Sequence, residues 1–289
     1  MRIANAPTAV ADVCAGFFIV QAVTGGLSFS FTDHGMTLFC LSVTSVCLYS
    51  AGMVFNDLFD RKVDAIERPE RPIPSGKVTS YQAGVFGSIL VLVGLLSAFS
   101  ISSIVGIATL LLTFLIFTYD ASSKRFPYFS VLNMGLCRGV NLLLGMSVYA
   151  DISLNLLALA VALSLFVAGI TLASKGEVFG GTQNGLNGAL ITYVLALFLL
   201  IFVGKSSFSF PIIALLLLGL WLLLAILPLL KARNSLKAQD VRKAVKAGIL
   251  SIILLDAAMV GGFCGIYPAL FILALFPISF WASNPFPVT

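Results

Sequence analysis

Apolar runs about 20 residues long recur from one end of this 289-residue chain to the other, and about 20 residues is what a helix needs to cross a bilayer's hydrocarbon core. Ten runs can be marked, at 8–27, 36–58, 81–101, 104–119, 129–150, 154–173, 187–203, 209–230, 242–262 and 265–282. Gly261-Gly262 and Gly265 separate the last two. Composition agrees: 59% of residues are hydrophobic and 10% charged, where a soluble globular protein has about 25% charged. The expectation is an all-α polytopic membrane bundle of nine to ten helices around a central cavity, forming a single domain over 1–289 with no separate soluble part. No long basic segment with a cleavage site opens the chain, so the first run reads as a retained helix.

Lysine and arginine orient the bundle, because they concentrate in cytoplasmic loops. With the N-terminus inside, Arg2, Arg61, Lys62, Arg68, Arg71, Lys77, Lys124, Arg125, Lys175, Lys231, Arg233, Lys237, Arg242, Lys243 and Lys246 all fall on the inner side. Only Lys205 falls outside, and Arg138 lies within the fifth run. The formal net charge of +5 is thus a topology signal, and no nucleic-acid partner is expected. Cys14, Cys40, Cys47, Cys137 and Cys264 all lie in apolar runs without metal-like spacing and read as small buried hydrophobes. His34, the single histidine, excludes a histidine-based metal site or triad and is placed in a short loop.

Against this apolar background, Asn56-Asp57-Leu58-Phe59-Asp60-Arg61-Lys62-Val63-Asp64 crowds three acids and an amide into nine residues. On a helix, residues four apart stack on one face, which aligns Asn56, Asp60 and Asp64, with Asp57 on the same side. Such a carboxylate comb suits Mg²⁺, which takes oxygen ligands and keeps water and substrate phosphate in its shell. The next segment, Glu67 to Lys77, contains Pro69, Pro72 and Pro74, which end the helix and stiffen the loop. It brings Arg68, Arg71 and Lys77 beside the acids. Carboxylates for a metal and guanidinium groups for phosphate oxygens together suggest a Mg²⁺-diphosphate ligand.

Two other inner loops are polar: Tyr119-Asp120 through Arg125, and Ser174-Lys175-Gly176-Glu177. Tyr119 can hydrogen-bond an oxyanion or mark the interface. Arg138, with Asn141 on the same face, directs a polar stripe inward, as costly intramembrane charges do when they face a cavity or a partner. Asp12 and Asp256 are both available as that partner. Glu177 is a candidate ligand for a second metal, although Lys175 opposes a cation there.

These motifs together resemble the UbiA superfamily of intramembrane prenyltransferases, over nearly the whole chain. Asn56–Asp64 matches the family's Asn-Asp-x-x-Asp-x-x-x-Asp signature in full, and Arg68-Pro69 with Arg71-Pro72-Ile73-Pro74-Ser75-Gly76 is similar to its loop. Arg2 and Asn5 resemble the opening Arg-Pro-x-Asn pattern, with Ile3 in place of proline. Tyr119 and Lys124 look like its Tyr-and-Lys element, and Gly135, Arg138 and Asn141 its Gly-x-x-Arg-x-x-Asn element. The resemblance implies about nine transmembrane helices, Mg²⁺, an isoprenyl diphosphate donor, and transfer to a hydrophobic, often aromatic, acceptor from the membrane. It implies metal ligation by Asn56, Asp60, Asp64 and Glu177, catalytic roles for Asp57, Asp60 and Asp64, and substrate binding by Asn5, Arg68, Arg71, Tyr119, Lys124, Arg138, Asn141 and Lys175. The departure is the second motif, where the family has two or three aspartates and this chain has Ser-Lys-Gly-Glu. That variant resembles the Ser-Arg-Gly-Glu of UbiA-like proteins in bacterial Ebo gene clusters, and it leaves open whether one or two metals bind. The expected setting is a bacterial inner membrane with the mouth of the site facing the cytoplasm. A non-catalytic isoprenoid carrier or transporter and a membrane alcohol phosphotransferase are the competing readings.

Overall fold

The computed structural model describes residues 5–24, 31–121, 126–149, 152–177, 180–207 and 211–282. Arg2, Lys124 and Arg125 lie outside them. The elements are α1 (Ala6–Thr24), α2 (Phe31–Glu67), α3 (Ser80–Phe99), α4 (Ser103–Ala121), α5 (Pro127–Met146), α6 (Leu154–Ser174), α7 (Gln183–Ser207), α8 (Ile212–Ser235), α9 (Ala238–Cys264), α10 (Ile266–Leu273) and α11 (Leu275–Ala282). Among the described residues, nine helices, α1 to α9, are long and apolar enough to cross a membrane, so the chain is an integral membrane protein. The tenth run is not a further span. It is broken at Ala274 into two eight-residue helices. The expected break at Gly261-Gly262 moves as well: α9 continues through both glycines and stops at Gly265, whose φ of +80° is a left-handed turn that favours glycine.

Burial sorts the helices. α1 and α9 are mostly buried, whereas only 22% of α3 and 28% of α8 is buried inside the bundle, as in helices facing lipid. α1 packs on α2, α5 and α9, and so sits between the α2–α5 group and the α6–α9 group. Both central helices carry an acid within the apolar interior, Asp12 and Asp256. His34 lies in α2, not in a loop, and its ring stands 5.8 Å from that of Phe17. All five cysteines are free, as small apolar residues in this setting would be.

Small residues bring α1 and α5 into close contact, the usual device where lipid removes the hydrophobic drive between helices. A Cβ at Gly16 would overlap the carbonyl oxygen of Leu142, and one at Gly145 that of Val13. Gly145→Ala is therefore expected to lower stability by about 1–3 kcal/mol, as overpacking does. Thermal unfolding in detergent measures this, with Gly35→Ala as control, since nothing among the described residues lies within 4 Å of a Cβ there.

Candidate active site

α2 is 37 residues long, about 55 Å at 1.5 Å per residue, well beyond a hydrocarbon core of about 30 Å. Its last turns carry the whole Asn56–Asp64 comb out of the apolar slab. The comb does not form a single stripe. At about 100° per residue each four-residue step drifts by roughly 40°, while a seven-residue step returns to within about 20°. Asp57 and Asp64 accordingly share one face, and both reach Arg71: Asp64 Oδ2 at 2.6 Å and Asp57 Oδ1 at 3.3 Å. Asn56 has turned toward α4, where its Nδ2 donates to Asp120 Oδ1 at 3.2 Å. Asp60 is half-buried between these two directions.

The proline-rich segment aims Arg71 at the comb. The Arg68 amide donates to Asp64 O, Arg71 to Arg68 O and Ser75 to Arg71 O, so the chain leaves α2 through consecutive turns. Gly76, at φ +75°, supplies a conformation other residues rarely adopt. Thr79 then starts α3 with a capping box to Gln82, satisfying end amides that would otherwise lack partners. Arg68 is exposed at the first turn and its side chain is not drawn into the cluster as Arg71 is.

Behind the comb lies a cavity of about 150 Å³ between α1, α2, α4 and α5. Asn56, Tyr119 and Asp120 line one end, Arg138 and Asn141 the other, with Leu48, Met53 and Ile116 among the apolar residues between. At the inner end Asp12, fully buried, is gripped by Arg138 through Nε at 3.0 Å and Nη2 at 3.1 Å. Asn141 Nδ2 donates to Asp12 Oδ2 at 3.2 Å and to Ala9 O at 2.7 Å, and Ser45 Oγ lies 3.1 Å from Asn141 Oδ1. Of the two acids that sequence allows as the partner of Arg138, the structure selects Asp12.

Other expected site residues are placed elsewhere. Asn5 precedes α1, accepts a hydrogen bond from Thr8 at its carbonyl, and does not line the cavity. Lys175 caps α6 with its ammonium 5.8 Å from the centre of the Tyr128 ring, and partial burial lowers the pKa of its amine below the ordinary lysine value. It borders a separate glycine-rich pocket with Gly176, Gly181 and Asn184. Glu177 follows in the same turn with one carboxylate oxygen buried. The Gly181 amide donates to Leu236 O at 3.0 Å, so the loop after α6 meets the loop after α8. The ends of α2 and α4 likewise meet through Asn56 and Asp120. Asp120 is the site residue that motif reading passes over. It is 5% exposed, and a buried acid at the polar end of an apolar helix was its signal.

Among the described residues no group of three or more His, Cys, Asp or Glu side chains is arranged to hold a metal. The donor set nevertheless fits Mg²⁺, which is usually held by one or two carboxylates plus waters and substrate phosphate. Asp57 and Asp64 already converge on one cationic group, the Arg71 guanidinium. Such a site can bind an anion through a metal and arginine, beside a largely apolar chamber.

The model of the UbiA prenyltransferase family matches residues 13–247. A digeranylgeranylglyceryl phosphate synthase of Methanosarcina mazei is 38% identical over 122 residues, 42% of this chain and 41% of the relative. The chain thus aligns with about two fifths of that relative's length. Its namesake from Methanothermobacter thermautotrophicus is 26% identical over 264 residues, 86% of this chain and 90% of the relative. Among solved structures, a UbiA homologue from Aeropyrum pernix K1 superposes with a TM-score of 0.69 at 20% identity, over 86% of this chain and 96% of the other. A digeranylgeranylglyceryl phosphate synthase structure gives 0.65 at 18%, over 92% and 99%. Both share the fold.

Proposed function

The chain belongs to the UbiA prenyltransferase family, and from that premise we propose that it is a Mg²⁺-dependent enzyme that moves an isoprenyl group from a prenyl diphosphate to a membrane-soluble acceptor. One observation carries the reading. Asp57 and Asp64 converge on Arg71 in the same turns of α2 as Asn56, which lines the polar end of a largely apolar cavity, and this arrangement suits a ligand with a diphosphate head and a hydrocarbon tail.

When bound, Mg²⁺ would supply positive charge to the departing diphosphate, and Asn56, Asp57, Asp60 and Asp64, with Asp120 beside them, would hold it. Arg71 would turn its guanidinium to the phosphate oxygens, a bidentate pairing that strengthens as charge develops there. Tyr49 and Tyr119 line the cavity and would offer ring faces to an allylic cation. The apolar walls would keep water from quenching that cation. The acceptor would then attack the allylic carbon and lose a proton. We place the mouth on the cytoplasmic side, from the lysine and arginine distribution, and treat residues 1–289 as one domain.

The acceptor is proposed as hydrophobic, either an aromatic ring or a lipid such as the one the archaeal relatives' names describe. The test supplies purified protein with prenyl diphosphates of increasing chain length and both acceptor classes. Diphosphate release that requires Mg²⁺ and produces a prenylated acceptor is the expected result. Ser174-Lys175-Gly176-Glu177 favours one other reading, a non-catalytic isoprenoid-binding relative. Prenyl-lipid binding that survives EDTA without turnover would establish that reading and remove the first.

A further inference from the structure

Asp256 on α9 and Asp12 on α1 are each 0% exposed on two helices that pack together, and each carboxyl group faces the other. Their surroundings differ sharply. Asp12 accepts hydrogen bonds from Arg138 Nη2 on Oδ1 and from Asn141 on Oδ2, with Arg138 Nε at ion-pair distance of Oδ2. Among the described residues, neither oxygen of Asp256 meets an N–H or O–H donor. The ionisable groups that face the pair are Arg138 from α5 and Cys14 from α1. Two ionised acids against one guanidinium would leave an uncompensated anion in a water-free interior. Proteins avoid that state by neutralising the group, and carboxyls that share a site keep a proton between them.

We propose that Asp12 and Asp256 share a single proton, resident on Asp256, which donates it in a hydrogen bond to the Asp12 carboxylate. A continuous polar chain then runs from α9 through α1 to α5: Asp256 to Asp12, and Asp12 to Arg138 and Asn141. Asp256 does not line the cavity, so it is a positioning residue. It fixes Asp12, which fixes the two side chains that form the cavity's inner wall. The cluster as a whole is uncharged. The inner end therefore offers hydrogen bonds without net charge, and the anion-binding end is the one at Asn56–Asp64. The protonation of the pair does not depend on the reaction proposed above.

Infrared spectroscopy of the full chain in lipid nanodiscs tests this. The wild-type protein at neutral pH is expected to show a protonated-carboxyl C=O band that shifts in D₂O and on ¹³C-aspartate labelling. Asp256→Asn is expected to lose that band and keep the wild-type unfolding midpoint, because its amide supplies the same donor to Asp12. Asp256→Leu, of similar bulk without a donor, is expected to lower the midpoint, a loss the asparagine variant rescues. A wild-type spectrum without an aspartate-derived acid band overturns the proposal, and needs no variant to fold. So does a band that survives Asp256→Asn.

Discussion

Asp60→Asn is expected to lower Mg²⁺-dependent diphosphate release by about 10²–10³-fold, the scale seen when one group stabilising transition-state charge is removed. The substitution keeps the side chain's size and one oxygen and removes its charge, so the loss reports electrostatics rather than packing. Asp60 is the informative member of the comb. Asp57 and Asp64 also tether Arg71, so variants there would release the proline-stiffened loop along with a metal ligand. Glu177→Gln is expected to cost only about tenfold, the low end for an outer-shell group, because its loop contains no second acid to complete a site. Rates from a single-turnover diphosphate assay, with unfolding midpoints to confirm intact protein, give the comparison. Equal losses in the two variants would show that the second motif shares the metal as fully as the first. No loss in Asp60→Asn would remove the comb from the chemistry.

The sequence made α1 to α9 legible because lipid penalises every unpaired backbone group and so demands long apolar helices. The tenth run misleads for the same reason. Apolarity says that residues 265–282 avoid water, but two short helices with Tyr267, Leu270, Phe280 and Trp281 exposed meet that demand against lipid as well as a full crossing does. Gly261 and Gly262 suggested a break, yet neighbours enclose α9 at this point: a Cβ at Gly261 would stand 3.6 Å from Ile213 and Ala269 and 3.8 Å from Ala214, and that packing outweighs the modest cost of glycine in a helix. The comb was readable as a helix-end cluster. Its division into an Asp57–Asp64 face and an Asn56 face needed the drift of the 3.6-residue turn to be followed over two turns. Asp120 was hidden because a lone acid at a helix end carries no spacing signal. Its role comes from Asn56, 64 residues away in the chain. The choice of Asp12 over Asp256 for Arg138 is likewise a property of α1 packing on α5 that no local pattern encodes.

Arg138→Met is expected to destabilise the protein by about 3–5 kcal/mol, because breaking a buried pair from one side leaves its partner's charge uncompensated. Asp12 is fully buried, and without Arg138 its carboxylate would face Asn141 and Asp256 with no cation among the described residues. The double variant Asp12→Leu/Arg138→Met is expected to recover most of that loss, since an apolar pair of similar volume often replaces a buried ion pair without penalty. Part of the loss should persist, about 1–3 kcal/mol, for the polar groups of Asn141 and Asp256 left without their acceptor. A double-mutant cycle on unfolding midpoints separates these contributions, and the sites are in direct contact, so strong non-additivity is expected. Additive effects, or an Arg138→Met variant as stable as wild type, would mean that Arg138 and Asp12 do not support each other. Catalysis should respond differently from stability. The double variant restores the packing of α1 on α5 but not the hydrogen-bonding wall, so refolded stability with lost turnover would assign Arg138 to the reaction as well as to the fold.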